Sequence, residues 1–143
     1  MSTKRVLIVD DERDVCVYLA RLFREHGYAV ECAHDGYAAA NQVKEALPDL
    51  ITLDLSMPGK SGVKFYREMR STPELNRIPV VFVTGVSGPG GNPRDAERFY
   101  ATRHQVRPPD GFVAKPIDPD EMLRLVERLL SERQPSATGR NRA

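Results

Sequence analysis

An α/β fold built on a doubly wound, five-stranded parallel sheet is predicted by three observations. Five short apolar runs alternate with helix-like stretches, several of these runs are apolar at successive positions, and most end in polar groups. The candidate strands are RVLIVD (5–10), YAVECA (28–33), LITLDL (50–55), PVVFVT (79–84) and GFVA (111–114). Each is β-branched or apolar and bounded by turn residues. Alternation of strand with helix implies right-handed crossovers and a parallel sheet. Runs such as VLIV and VVFV suit strands covered on both faces.

Between the strands, Val15, Leu19, Leu22 and Phe23 form one apolar helical stripe, and Phe65 and Met69 belong to a weaker one. The last helix has the fullest signature. Asp118 can cap it, Pro119 fits its first position, Glu121 completes a capping-box-like spacing, and Met122, Leu125, Val126 and Leu129 follow at helical intervals. It is expected to end near Arg133, ahead of Pro135. The stretch between Thr84 and Lys115 is punctuated by Gly88, Pro89, Gly90, Gly91, Pro93, Pro108 and Pro109, which leaves room for a short helix over about residues 93–103.

The chain has 143 residues, 29% of them charged and 41% hydrophobic, which is the size and composition of one globular domain. The domain is expected over residues 1–133, with 134–143 as a disordered tail. No apolar run approaches the roughly 18 residues of a membrane span, so membrane insertion is not expected. MSTKRVLIVDD enters a strand without a cleavage site, and the expected address is cytoplasmic. Cys16 and Cys32 are too few for a disulfide framework and lack metal-ligand spacing, so both are read as reduced and buried. Net charge is +1; three arginines against one glutamate give SERQPSATGRNRA a charge of +2, leaving the body at −1. That balance is no footprint for direct DNA binding. Beyond Arg133 too little chain follows for an effector domain, so output is expected by contact with another protein.

In doubly wound sheets the functional crevice lies beyond the carboxyl ends of the strands. There the first strand delivers Asp10 and Asp11, the third Asp54, the fourth Thr84 and the fifth Lys115. Any one of these has an ordinary explanation as a loop acid, a strand-end hydroxyl or a surface lysine. Three carboxylates brought together repel one another unless a cation compensates. Mg²⁺ suits them, because it takes few carboxylate oxygens and leaves positions for phosphate oxygens. Lys115 and Thr84 add donors suited to an anion. The pattern fits a metal ion and a phosphoryl group held together.

With VLIVDDE, DLITLDLSMPGKSG, IPVVFVTG and FVAKPID in order at strand ends, the chain resembles the receiver domain of bacterial two-component response regulators over about residues 4–132. The resemblance implies the flavodoxin-like strand order 2-1-3-4-5. It implies that Asp54 takes a phosphoryl group from a sensor histidine kinase or phosphotransfer protein. Asp11, Asp54 and the main-chain carbonyl of Ser56 would then ligate Mg²⁺, Asp10 would act chiefly through a metal-bound water, and Thr84 and Lys115 would contact the phosphoryl oxygens. An ordinary aspartate is ionised at neutral pH and needs no general base. Pro58 and Gly62 fit a shaped turn after Asp54, and the bond before Pro116 is expected to be cis. Such a protein is no turnover enzyme but a stoichiometric phosphoacceptor that promotes its own phosphorylation and dephosphorylation. Ser56 and Val86 would flank the approach of water to the acyl phosphate.

Two departures from the family stand out. The aromatic three residues before the lysine is Phe112, which has no phenolic hydroxyl, so Thr84 and Phe112 would form the switch without it. The segment 85–110 is longer than the family leads one to expect, and it is where phosphorylation is expected to be felt most. Among rivals, a dehalogenase-type phosphatase needs a second acid at position 56, where Ser56 stands. A flavodoxin-like cofactor binder needs a phosphate loop where DDERD places acids. A degenerate receiver, acting as an unphosphorylated interaction module, stays open as the alternative.

Overall fold

Side chains on successive strand residues point to opposite faces, so a strand covered on both sides is apolar throughout. The computed structural model describes residues 3–55, 61–85 and 108–139. In it β1 (Arg5–Val9), β2 (Ala29–Ala33), β3 (Leu50–Asp54), β4 (Val80–Thr84) and β5 (Gly111–Ala114) pair in parallel in the order β2-β1-β3-β4-β5. All five expected strands are present, none displaced by more than a residue at either end. Four helices accompany them: α1 (Arg13–Glu25), α2 (Gly36–Glu45), α3 (Ser61–Ser71) and α4 (Pro119–Gly139). Val6 and Ile8 of β1, with Val81 and Val83 of β4 and Val113 of β5, face the core shared with α1 and α4. Leu7 and Val9, with Ile51, Leu53, Val80 and Phe82, face the core shared with α2 and α3. The runs VLIV and VVFV are thus two interleaved half-sets, one for each face. Among the described residues no helix is long and apolar enough to cross a membrane.

Each helix starts or stops for a local reason. In α1 the stripe buries Cys16, Leu19, Ala20 and Phe23, while Val15 and Leu22 pack at its border. Fully burying a side chain such as Phe23 stabilises the fold by about 2–3 kcal/mol. The helix ends where Gly27 turns to a φ of 90°. The Gly27 N–H donates to Arg24 O at 3.1 Å and the Tyr28 N–H to Phe23 O at 3.1 Å. These two bonds form a Schellman closure, and the Phe23 and Tyr28 rings meet edge to face at 6.0 Å to supply its apolar contact.

Helix α2 had no stripe to announce it, because only Gly36, Ala39 and Val43 are buried. Its signal is the cap, where Asp35 Oδ1 accepts from the Ala38 N–H at 2.8 Å. In α4 the expected start holds: Asp118 Oδ1 accepts from the Asp120 N–H at 3.0 Å and from the Glu121 N–H at 3.4 Å. The expected stop near Arg133 is corrected, since α4 continues through Pro135 to Gly139. Proline removes one main-chain bond without forbidding the helix to continue, and Glu132, Arg133, Gln134 and Ala137 around it are good helix formers. The proposed helix over 93–103, the rest of 86–107, and residues 140–143 lie outside the described residues.

At the edge opposite the strand carboxyl ends, Arg70 gathers several segments. Its guanidinium donates to Tyr66 Oη at 2.9 Å, to Asn76 O at 2.9 Å, to Ile78 O at 3.1 Å and to Asp110 Oδ2 at 2.9 Å. The same carboxylate oxygen accepts from the Val80 N–H at 2.8 Å. A buried charge with this many partners joins the end of α3, the start of β4 and the entry to β5.

Replacing Gly27 by Ala is expected to cost about 1 kcal/mol, because a Cβ there meets nothing within 4 Å and only the backbone conformation is penalised. Urea denaturation with an unchanged slope checks it. Arg70→Ala is expected to cost about 2–3 kcal/mol by removing the guanidinium from the Asp110 carboxylate, the Tyr66 hydroxyl and two carbonyls; Asp110 is 27% exposed, which keeps the loss below that of a fully dry pair. A loss under about 0.5 kcal/mol in the same assay would mean that solvent replaces the guanidinium.

Candidate functional site

Parallel register decides what meets at the carboxyl edge. Val9 pairs with both Ala33 and Leu53, Asp54 with Val83, and Thr84 with Ala114, so the residues that follow emerge side by side. The Asp10 N–H continues the ladder to Ala33 O at 3.0 Å, and the Lys115 N–H continues it to Thr84 O at 2.8 Å. The five side chains singled out in the sequence, Asp10, Asp11, Asp54, Thr84 and Lys115, all stand at this edge. Carboxylate oxygens of Asp10, Asp11 and Asp54 lie within 4.8 Å of one another. Asp10 and Asp54 are buried, whereas Asp11 is exposed.

Lys115 answers this crowding. Its Nζ lies 2.9 Å from Glu12 Oε1, 3.4 Å from Asp10 Oδ2 and 3.6 Å from Asp54 Oδ2. Burial pushes the Asp10 carboxyl up to about 6; the neighbouring Asp54 charge adds to the rise, while the Glu12 N–H and Lys115 oppose it. For Lys115, burial works against the ammonium, but the Glu12 bond and the Asp54 and Asp10 charges outweigh it and hold the pKa above its ordinary value. A buried carboxyl held partly protonated beside other acids is the donor set that a hard divalent cation relieves. The Thr84 hydroxyl donates to Gly85 O at 3.2 Å and is half-buried. The Lys115–Pro116 bond is cis, as expected.

Other expected residues fall elsewhere. Ser56, Pro58 and Val86 lie outside the described residues, as does nearly all of 85–110. Gly62 is buried at the start of α3. Phe112 is half-buried and lies edge to face with Phe82, centroids 5.5 Å apart, on the α2/α3 face of the sheet. Cys16 and Cys32 are free; Cys16 is buried as expected whereas Cys32 is only half-buried, and burial raises both thiols, Cys16 up to about 12. They have the character of inert apolar residues.

Two neighbours of the site were not singled out in the sequence. Glu12 directly follows the paired aspartates. His34 follows β2, and its Nδ1 lies 3.1 Å from the Asp10 carbonyl oxygen, so that nitrogen carries the proton. Applying the strand-end rule to the second strand as well would have drawn attention to His34.

Known proteins share this arrangement of chain. Protein Rrf1 of Nitratidesulfovibrio vulgaris is 35% identical over 127 residues, covering 89% of this chain and 83% of Rrf1. The phosphate regulon transcriptional regulatory protein PhoB of Rhizobium meliloti is 30% identical over 92% of the chain, which spans only 54% of PhoB. The solved signal receiver domain of a histidine kinase from Syntrophus aciditrophicus superposes with a TM-score of 0.76 at 31% identity, over 91% of this chain and 92% of that one. The family model of the response regulator receiver domain matches residues 6–127, from the second residue of β1 well into α4. The edge that gathers the acids and the lysine therefore belongs to a fold already placed by its sequence, and the chain is a member of the response regulator receiver domain family of two-component systems.

Proposed function

We propose that Asp54 accepts a phosphoryl group from a phosphohistidine on a sensor histidine kinase or phosphotransfer protein. The observation that carries this reading is the convergence of Asp10, Asp11 and Asp54 within 4.8 Å around a lysine whose Nζ is 3.6 Å from Asp54 Oδ2. An Asp54 oxygen attacks phosphorus, the P–N bond breaks, and the electron pair leaves with the imidazole nitrogen. Little covalent assistance is needed; alignment and compensation of charge dominate such transfers. Lys115 turns its N–H groups toward the phosphoryl oxygens, and the Thr84 hydroxyl does so by exchanging its bond to Gly85 O for one to the incoming group. Asp10 and Asp11 with Asp54 would hold Mg²⁺, joined by the main-chain carbonyl of Ser56. When bound, that ion supplies charge compensation for the acids and for the phosphoryl oxygens together.

The protein then acts as a stoichiometric acceptor that promotes its own phosphorylation and dephosphorylation. It works in the cytoplasm and passes the signal by contact with a protein target, without binding DNA itself. The degenerate receiver is not favoured, since none of the five polar residues at the edge is missing.

Incubation with acetyl phosphate and Mg²⁺ is expected to add one phosphoryl group to the wild type and none to Asp54→Asn, read by intact mass. Equal gain in the variant would move the acceptor elsewhere. Metal affinity should also depend on pH. Asp10 has its folded pKa raised from 3.8 to about 6, so the metal-free fold binds more protons than the unfolded chain between those values. Its contribution to stability therefore falls as pH rises through that window, and a cation that needs the carboxylate binds better as pH rises. Calorimetric titration is expected to give Mg²⁺ affinity about tenfold weaker at pH 5 than at pH 7, from competition with a single proton. Affinity unchanged across that range would mean that Asp10 is already ionised without metal.

A further inference from the structure

Glu12 occupies the N-cap of α1, yet its side chain makes no capping bond. Its backbone N–H is held by Asp10 Oδ1 at 2.9 Å, which fixes the residue beside the site. Its carboxylate turns instead to Lys115 at 2.9 Å, the shortest of the three carboxylate contacts that the ammonium makes. Only this contact has the length of a charge-assisted hydrogen bond. The lysine side chain is 18% exposed and the glutamate side chain 61%. The pair is therefore anchored at the lysine and open to water at the glutamate, and it can part without disturbing either core.

We propose that Glu12 is a positioning residue that withholds Lys115 from Asp54 until a phosphoryl group arrives, and so sets how readily an anionic donor modifies Asp54. The proposal rests on the phosphoacceptor reading above. Lys115 has three N–H donors and four acidic oxygens or oxygen pairs to serve once a phosphoryl group with a charge near −2 appears. The strongest bond it holds beforehand is the one it must give up. Glu12 also repels the approaching anion by its own charge, so both effects slow modification. The contact with Lys115 distinguishes Glu12 from any other acid nearby.

Phosphoramidate with saturating Mg²⁺ tests this, with uptake followed by intact mass. In that reaction an Asp54 oxygen forms a bond to phosphorus, the P–N bond breaks, and nitrogen leaves with the electron pair and its protons as ammonia. Wild type is compared with Glu12→Gln, Asp14→Asn, Lys115→Ala and the Glu12→Gln/Lys115→Ala pair. Asp14 is an exposed acid in the first turn of α1 and serves as the control for charge alone. Glu12→Gln is expected to be modified roughly two- to fivefold faster, the range that a solvent-open ion pair supports. Asp14→Asn should match the wild type, and in the Lys115→Ala background the Glu12 substitution should give a clearly smaller gain, only what its own charge contributes. An unchanged rate in Glu12→Gln overturns the proposal, and so does the same gain with Lys115 absent. No uptake at Asp54 in the wild type would overturn the phosphoacceptor reading itself, a result distinct from either.

Discussion

Two carboxylates withdrawn from water within a few ångströms of each other raise the energy of the folded chain, and the Lys115 ammonium, within 3.6 Å of both, helps to limit that rise. Its position is not a local choice. It follows β5, whose register on β4 is held by the main-chain bond from Lys115 to Thr84 O at one end and by Asp110 at the other. Asp110 is in turn held by Arg70 from α3. The charge balance at the carboxyl edge thus depends on a hydrogen-bond network at the opposite edge, and the sheet between them is the rigid link. β5 is the shortest of the five strands, and it leads directly into a cation that the acids share.

Legibility in the sequence followed the kind of signal each feature leaves. The strands were readable because burial on both faces makes an apolar run with no gaps, as in β1 and β4. The start of α4 was readable because Asp118 and Pro119 stand at fixed offsets from an apolar stripe. Helix α2 left little trace, since alanine and glycine at its buried positions carry almost no hydrophobic contrast. The far end of α4 was misjudged because a proline lowers the tendency to continue without forbidding it. At the site, Asp10, Asp11, Asp54, Thr84 and Lys115 were legible from position alone, as ends of parallel strands. Glu12 was not, because its role depends on a rotamer reaching across to a residue 103 positions away. Arg70 and Asp110, 40 residues apart, share no local pattern either.

The relatives set a useful contrast in scale. This chain spans 83% of Rrf1 but 54% of PhoB, so the same fold occurs both as most of a protein and as part of a longer one. In this chain the site lies at the edge where the strands end. Glu12 sits on the rim of that edge, where a change of side chain alters the charge around Lys115 without touching either core.

Because Asp110 is tied to Arg70 and to the Val80 N–H, the point at which the chain enters β5 is fastened to α3 and β4. Asp110 and the Lys115 N–H thus stand as two posts at either end of a four-residue strand, and its register on β4 is held at both. For protein engineering this marks the Arg70–Asp110 pair as one to leave intact when the site is redesigned, since a slip of β5 would carry Lys115 away from the acids.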